Sequence, residues 1–229
     1  MSSKLHRRAA IAGIAAAFAA PALAAAPAPA RVTRIGLADA FLLLDSYLAL
    51  KPAERDRFHF AYRTVRNGKP ASDVQARIVH RDRTSTPLAV DGDGWVTELP
   101  TLEQLKARET FEVDGAPFDM AVELRAALAP DTRLPVSELD ATLKQVNAAF
   151  LTFAEGDASQ VGRLTCVYFP DAGAGHAILD GGAERPLPTF DFKLTGTTPY
   201  YDARARPSAI AVALDKPPSR ILVAGRPRG

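Results

Sequence analysis

Apolar positions recur along the chain with two different periods, which predict helices and strands in alternation. Helical spacing over residues 37–50 predicts a helix that ends before Lys51-Pro52. A second helical stripe follows Ser137, the expected N-cap, and is expected to stop at Gly156. Strict alternation over residues 58–63 and 118–125 predicts half-buried strands. His59 and Arg63 are expected on the outward face of the first strand, and Glu123 and Arg125 alternate with the apolar positions of the second.

The clearest local pattern lies in residues 87–100, where two short apolar runs flank Asp91-Gly92-Asp93-Gly94. Asp-Gly tolerates the positive backbone angles of a tight turn, so the stretch predicts a hairpin around which the first half is organised. Trp95 is the only tryptophan, and it is expected to pack against the sheet. A capping box at 101–104 predicts a short helix running to about Arg108.

The fold class predicted by this pattern is α+β and β-rich, with two small modules that each have a leading helix and an antiparallel sheet. Strands of the second half are expected at 163–169, 175–180, 187–194, 208–214 and 220–224. Pro87-Leu88 is echoed by Pro186-Leu187, and residues 120–124 are echoed by residues 210–214. Two interpretations stay open: a degenerate duplication, or two α+β units that look alike because turns and strands have few sequence solutions.

The first thirty residues read as a bacterial secretory signal. Lys4, Arg7 and Arg8 precede an Ala-rich apolar run and a small-x-small site. We expect a signal peptide at 1–24, with cleavage as late as 30, a linker at 25–34, a first module at 35–134 and a second at 135–229. The predicted location is therefore periplasmic or secreted, with no transmembrane segment in the mature chain.

The charge balance of the chain limits the classes of partner that it could bind, and its cysteine content limits disulfide formation. The signal carries three of the 28 Lys and Arg residues and none of the 26 Asp and Glu residues, so the mature chain has 25 against 26. That balance argues against a nucleic-acid partner. Cys166 is the only cysteine, so an intramolecular disulfide cannot form, and we expect a buried, inert thiol.

Catalytic and metal signatures are weak in this sequence. His59, His80 and His176 have no metal-ligand spacing, and no cofactor is predicted. His176 lies in a Gly-rich segment, so it is the first catalytic candidate, with Asp171 or Asp180 as a partner. The Asp-Gly-Asp-Gly run could begin a calcium loop, but Trp95 and Val96 fall where further ligands are needed, so a plain turn is favoured and no metal is predicted.

Two groups of residues are candidates for ligand binding. Tyr200 and Tyr201 could hold a glycan or a peptide, or could equally cap the core. Arg77 and Arg81 could belong to a basic sheet face for a phosphate or a lipid headgroup. Asp82 interrupts that face, so a solvated surface that protects a sheet edge is the favoured interpretation.

Part of the first half resembles a known family. Gly68, Pro70, the 74–78 strand, Asp91 and Gly94 follow the turn pattern of transthyretin-like or carboxypeptidase-regulatory-like β-sandwich modules. The resemblance spans residues 68–100 and implies a structural or interaction module, with no catalytic residues to transfer. The whole chain also resembles exported bacterial proteins of unknown function.

The function expected from the sequence is that of an exported, noncatalytic binding or structural protein of the bacterial cell envelope. Its partner would be an envelope protein or a small ligand. The alternative is an envelope hydrolase with a site near His176. The favoured interpretation depends on the turn-rich β pattern and on the lack of common catalytic motifs.

Overall fold

The computed structural model describes residues 32–156, 162–192, 196–205 and 208–227, and its fold is α+β and β-rich, as predicted. The signal peptide and most of the linker lie outside the described residues. The helices are α1 (Leu37–Ala40), α2 (Leu44–Ala49), α3 (Leu102–Lys106) and α4 (Val136–Phe153), with a 3-10 turn at Pro52–Glu54. The strands are β1 (Thr33–Gly36), β2 (Phe58–Arg66), β3 (Lys69–Pro70), β4 (Gln75–Val79), β5 (Ser85–Pro87), β6 (Thr110–Asp114), β7 (Asp119–Ala126), β8 (Arg133–Pro135), β9 (Cys166–Tyr168), β10 (Gly175–Leu179), β11 (Glu184–Pro186), β12 (Thr189–Phe192), β13 (Gly196–Asp202), β14 (Ala209–Leu214) and β15 (Leu222–Ala224).

Two four-stranded antiparallel sheets repeat the same arrangement. One has the order β1-β6-β4-β5 and the other the order β8-β14-β10-β11. The corresponding strands begin 99 or 100 residues apart, at positions 33 and 133, 75 and 175, 85 and 184, and 110 and 209. The repeated order and the near-constant spacing favour the duplication over a chance likeness of two small units.

One of the two sequence echoes fits this repeat and the other does not. Pro87-Leu88 and Pro186-Leu187 both lie at the ends of matching strands, β5 and β11. The echo between residues 120–124 and 210–214 is wrong, because these residues belong to β7 and β14, and the counterpart of β14 is β6. Both segments alternate with period two, and that period does not specify which strand is the partner.

A seven-stranded sheet of order β12-β13-β9-β15-β7-β2-β3 takes strands from both halves of the chain. The predicted modules 35–134 and 135–229 therefore share one sheet. Their strands meet where β7 pairs with β15, in the single register pair Arg125 and Leu222. The adjacent Ala126 amide donates to the carbonyl of Ile221 at 2.8 Å.

The inner face of the seven-stranded sheet packs against the first two helices. Phe58, Phe60 and Tyr62 of β2 are buried there, and the Tyr47 ring of α2 lies 5.4 Å from the rings of Phe58 and Phe60. The helix predicted over 37–50 is broken into α1 and α2 because Leu43 adopts a left-handed conformation with a φ of 68°. Such a conformation is rare for a residue with a side chain this large.

The N-terminal cap follows the sequence prediction at α3 but not at α4, whereas α4 ends at Phe153, before Gly156, as expected. The capping box forms at α3, where the Gln104 amide donates to the Thr101 hydroxyl at 3.2 Å and the Thr101 amide donates to the Gln104 side chain at 2.8 Å. The prediction of Ser137 as the N-cap of α4 is wrong, because the N-cap is Pro135, two residues earlier, and the helix begins at Val136. Proline's fixed φ suits this position, and its missing amide costs no helical hydrogen bond. In the part of the chain described, no helix is long and apolar enough to span a bilayer.

Candidate ligand-binding groove

The turn at Asp91–Gly94 fixes the position of Trp95. The Asp91 carboxylate accepts from the amides of Asp93 at 2.9 Å and Trp95 at 2.8 Å, and Gly94 has a φ of +82°. The turn is present as predicted, although its flanks pair through isolated bridges rather than a continuous ladder. One of these bridges places Trp95 directly opposite Arg63 of β2.

Three arginines surround the indole ring of Trp95. The guanidinium carbon lies 4.0 Å from the ring centroid in Arg125, 4.7 Å in Arg63 and 5.8 Å in Arg220. All three distances are within the range of cation–π attraction. The arginines come from β7, from β2 and from the segment before β15, so the fold gathers them from distant parts of the sequence.

One carboxylate, that of Glu123, balances part of this charge. Arg220 binds it through two nitrogens, at 3.0 and 3.2 Å, and Arg125 binds it at 2.9 Å. Arg63 instead donates its Nε to the backbone carbonyl of Asp93 at 2.8 Å, and the described chain provides no carboxylate within ion-pair distance of it. These four charged side chains with Trp95, hereafter the Trp95 cluster, carry a net charge of +2.

The cluster lies at one end of a row of side chains across the outer face of the seven-stranded sheet. Directly paired residues of an antiparallel sheet point to the same face, and the registers place Arg125, Leu222, Tyr168 and Tyr200 side by side on β7, β15, β9 and β13. The Tyr168 and Tyr200 ring centroids are 5.0 Å apart, and the Phe192 ring lies 5.0 Å from Tyr168 at a steep angle. The row therefore changes from cationic to aromatic within three strands.

A groove of about 370 Å³, hereafter the β7–β15 groove, lies next to this row, and Leu222 and Tyr168 belong to both. It forms because β7 and β15 pair at Arg125 and Leu222 and have no further register pair, so their edges are open beyond that point. Arg63 and Trp95 line one end of the groove, and Tyr168, Phe192 and Ala224 line the other. Ala121, which pairs with Arg63 and therefore lies on the same face of the sheet, also lines the groove.

The two tyrosines singled out in the sequence are separated by the sheet. Tyr200 is half-buried in the outer-face row next to Tyr168. Tyr201 points to the opposite face, is 1% exposed, and donates its hydroxyl to Asp140 at 3.4 Å. Burial raises the pKa of Tyr201, and partial desolvation raises the pKa of Asp140, which lies on the exposed side of α4.

Arg77 and Arg81 lie outside the groove. Arg77 is paired with Glu112 at 2.6 Å and with Asp114, and Glu112 also binds Arg34 at 2.5 Å. Arg81 donates its Nε to the Ala107 carbonyl at 2.9 Å. The positive charge of Arg77 is thus already compensated within its own sheet, whereas that of Arg63 is not.

The catalytic candidates are not joined to one another by hydrogen bonds. His176 is half-buried on β10, opposite Pro186 and Ala213. The Asp171 carboxylate accepts from the Ser219 hydroxyl at 2.6 Å, while Asp180 is exposed after the end of β10. Within the described ranges, no hydrogen bond links His176 to Asp171 or to Asp180.

Neither the Cys166 thiol nor the described His, Asp and Glu side chains are arranged as in a reactive thiol or metal site. Cys166 is fully buried on β9, as expected, and burial raises the pKa of its thiol, which disfavours the reactive thiolate. Among the described residues, no three His, Cys, Asp or Glu side chains are grouped as they would be in a metal site.

Comparison with known proteins adds no relative: no protein-family model, no curated protein and no solved structure matches the chain. The resemblance of residues 68–100 to transthyretin-like modules therefore stays a prediction.

Sequence reasoning placed Arg63, Glu123 and Arg125 on outward strand faces but did not bring them together with Arg220. Strand alternation was the available signal. It assigns a face, but it does not assign the neighbouring strand, and the Arg220–Glu123 pair spans 97 residues.

Proposed function

We propose that this chain is an exported, noncatalytic binding protein of the bacterial cell envelope that holds its ligand in the β7–β15 groove. The observation that carries the proposal is the open, largely apolar groove that has a concentrated group of hydrogen-bond donors at one end. The signal-like leader of the sequence supports the export part of the proposal.

The size and lining of the groove support binding of a small molecule. Ligand pockets have volumes of about 300–1,000 Å³ and combine apolar walls with a few polar groups that orient the ligand. The β7–β15 groove has a volume near the lower end of that range, apolar walls at Ala121 and Leu222, and donors at Arg63. A binding function needs only these features, and the polar groups of the groove do not include a nucleophile next to a base.

Titration with N-phenyl-1-naphthylamine, an uncharged fluorescent probe, tests the proposal. Trp95 is the only tryptophan and lines the groove, so a bound probe should quench its emission by energy transfer. We expect saturable one-site binding. Ala121→Asp should weaken binding by about tenfold, because it introduces a charge at an apolar wall.

Ala213→Asp is the matched control for this substitution. Ala213 is also a half-buried alanine of an antiparallel strand, and it lies on β14 in a different sheet. We expect this variant to bind the probe like the unmodified protein. A lack of saturable binding, or an equal loss in both variants, would refute the groove as the binding site.

A further inference from the structure

From the arrangement of charge along the groove, we infer that its ligand is a single-chain amphiphile with a terminal carboxylate. The carboxylate would pair with Arg63 in the Trp95 cluster, and the hydrocarbon chain would lie along Leu222 towards the ring of Phe192. The inference rests on the proposed function, since it names the ligand class for the same groove.

The uncompensated charge of the Trp95 cluster carries the head-group assignment. Glu123 already forms ion pairs with Arg125 and Arg220. Arg63 donates only its Nε, so the two terminal nitrogens of its guanidinium remain available to a ligand. A guanidinium presents its N–H groups in a plane that matches the two oxygens of a carboxylate. The Glu123 carboxylate shows this fit inside the cluster, because it receives two hydrogen bonds from Arg220.

The direction of the chain follows from the strand registers. Leu222 is directly opposite Arg125, Tyr168 is opposite Leu222, and Tyr200 is opposite Tyr168. Of these residues, Leu222 and Tyr168 line the groove, and neighbouring strands are about 4.8 Å apart, so the two steps from β7 to β9 cover roughly 10 Å. Because Tyr168 is only 1% exposed, a hydrocarbon chain would contact Leu222 and then the Phe192 ring that packs against Tyr168, while its head stays at the cationic end.

The positive charge of the Trp95 cluster also disfavours amphiphiles with a cationic or an uncharged head group. A cationic head would meet the net charge of +2 in a partly buried site, where the side chains of Arg125 and Arg220 are 21% and 17% exposed. Screening by water is weaker at such positions than on an open surface. An uncharged head would leave the free N–H groups of Arg63 without a charged acceptor.

Competition against bound N-phenyl-1-naphthylamine tests the inference with four probes that share a twelve-carbon chain: dodecanoate, dodecyl phosphate, dodecanol and dodecyltrimethylammonium. We expect dodecanoate to displace the dye at a concentration at least about tenfold below dodecanol, a difference of about 1.4 kcal/mol. Dodecyltrimethylammonium should compete least. Arg63→Gln should remove the advantage of dodecanoate over dodecanol, when competition by both probes is referred to the dye affinity of that same variant.

Arg81→Gln is the matched control, because Arg81 also donates its Nε to a backbone carbonyl and has no carboxylate partner among the described residues. It should leave every probe unaffected. Equal competition by dodecanoate and dodecanol, stronger competition by dodecyl phosphate, or equal effects of the two arginine variants would each overturn the inference. In all three outcomes the dye still binds, so the proposed function stands; failure of the dye itself to bind would refute that function instead.

Discussion

Replacement of Gly94 by valine should destabilise the fold more than any other substitution in the Asp91–Gly94 turn. Gly94 has a φ of +82°, and a Cβ there would lie 3.0 Å from the carbonyl oxygen of Thr64 and 3.2 Å from the amide nitrogen of Ala71. Both contacts are with backbone, so rotation of a side chain cannot relieve them. A β-branched residue in this conformation costs about 1–3 kcal/mol, and the forced backbone shift adds about 1–3 kcal/mol.

The sum, about 2–6 kcal/mol, is a large part of the 5–15 kcal/mol that typically stabilises a domain. Urea unfolding followed by far-ultraviolet circular dichroism measures the loss without relying on the neighbouring Trp95. Gly92→Val is the control, because a Cβ at Gly92 meets no atom within 4 Å, and its cost should stay below about 0.5 kcal/mol. Equal midpoints for the two variants would refute the steric argument.

Two further predictions concern the same turn and the sheet beside it. Asp91→Ala should cost about 1–2 kcal/mol in unfolding experiments, because the Asp93 and Trp95 amides lose their acceptor, whereas Asp93→Asn should cost less than about 0.5 kcal/mol. Calcium should leave the melting temperature unchanged, and a rise that Asp93→Asn abolishes would make the turn a metal site. Partial desolvation, with the charge of Arg125, lowers the pKa of His59, so the unfolded chain binds more protons below the ordinary pKa of 6.5. Stability should therefore fall as the pH drops from 7 to 5.5, and His59→Gln should flatten that slope; an unchanged slope would contradict the assignment.

Local patterns were sufficient to predict much of the secondary structure. Strands expected at 175–180 and 208–214 are found at Gly175–Leu179 and Ala209–Leu214, because period-two alternation and flanking turns are encoded over a few residues. The capping box at Thr101 is likewise a contact between residues three positions apart.

Features set by tertiary packing could not be predicted in this way. The break at Leu43 has no local signature, since a left-handed leucine is held by the packing around it. The start of α4 at Val136 depends on β8, which delivers the chain through Pro135, and the sequence favoured the better capping residue, Ser137, instead.

For the candidate site, the sequence predicted the face on which each residue lies but not which residues become neighbours. Alternation assigned Arg63 and Arg125 to outward faces, but their approach to Trp95 depends on which strands become neighbours. The pairing of Arg125 with Leu222 joins positions almost a hundred residues apart, and a single sequence does not encode that register in any nearby residue.

The repeated strand order of the two halves has a consequence for how the groove could become cationic at one end and aromatic at the other. Two identical subunits joined edge to edge carry every substitution twice, once on each side of their symmetry axis. A single chain that contains both halves is free of that constraint and can change one side of the seam alone. Here the β7 side bears Arg125, and the opposite side bears the rings of Tyr168 and Phe192, so covalent linkage permits a directional binding surface where symmetry would impose a palindromic one.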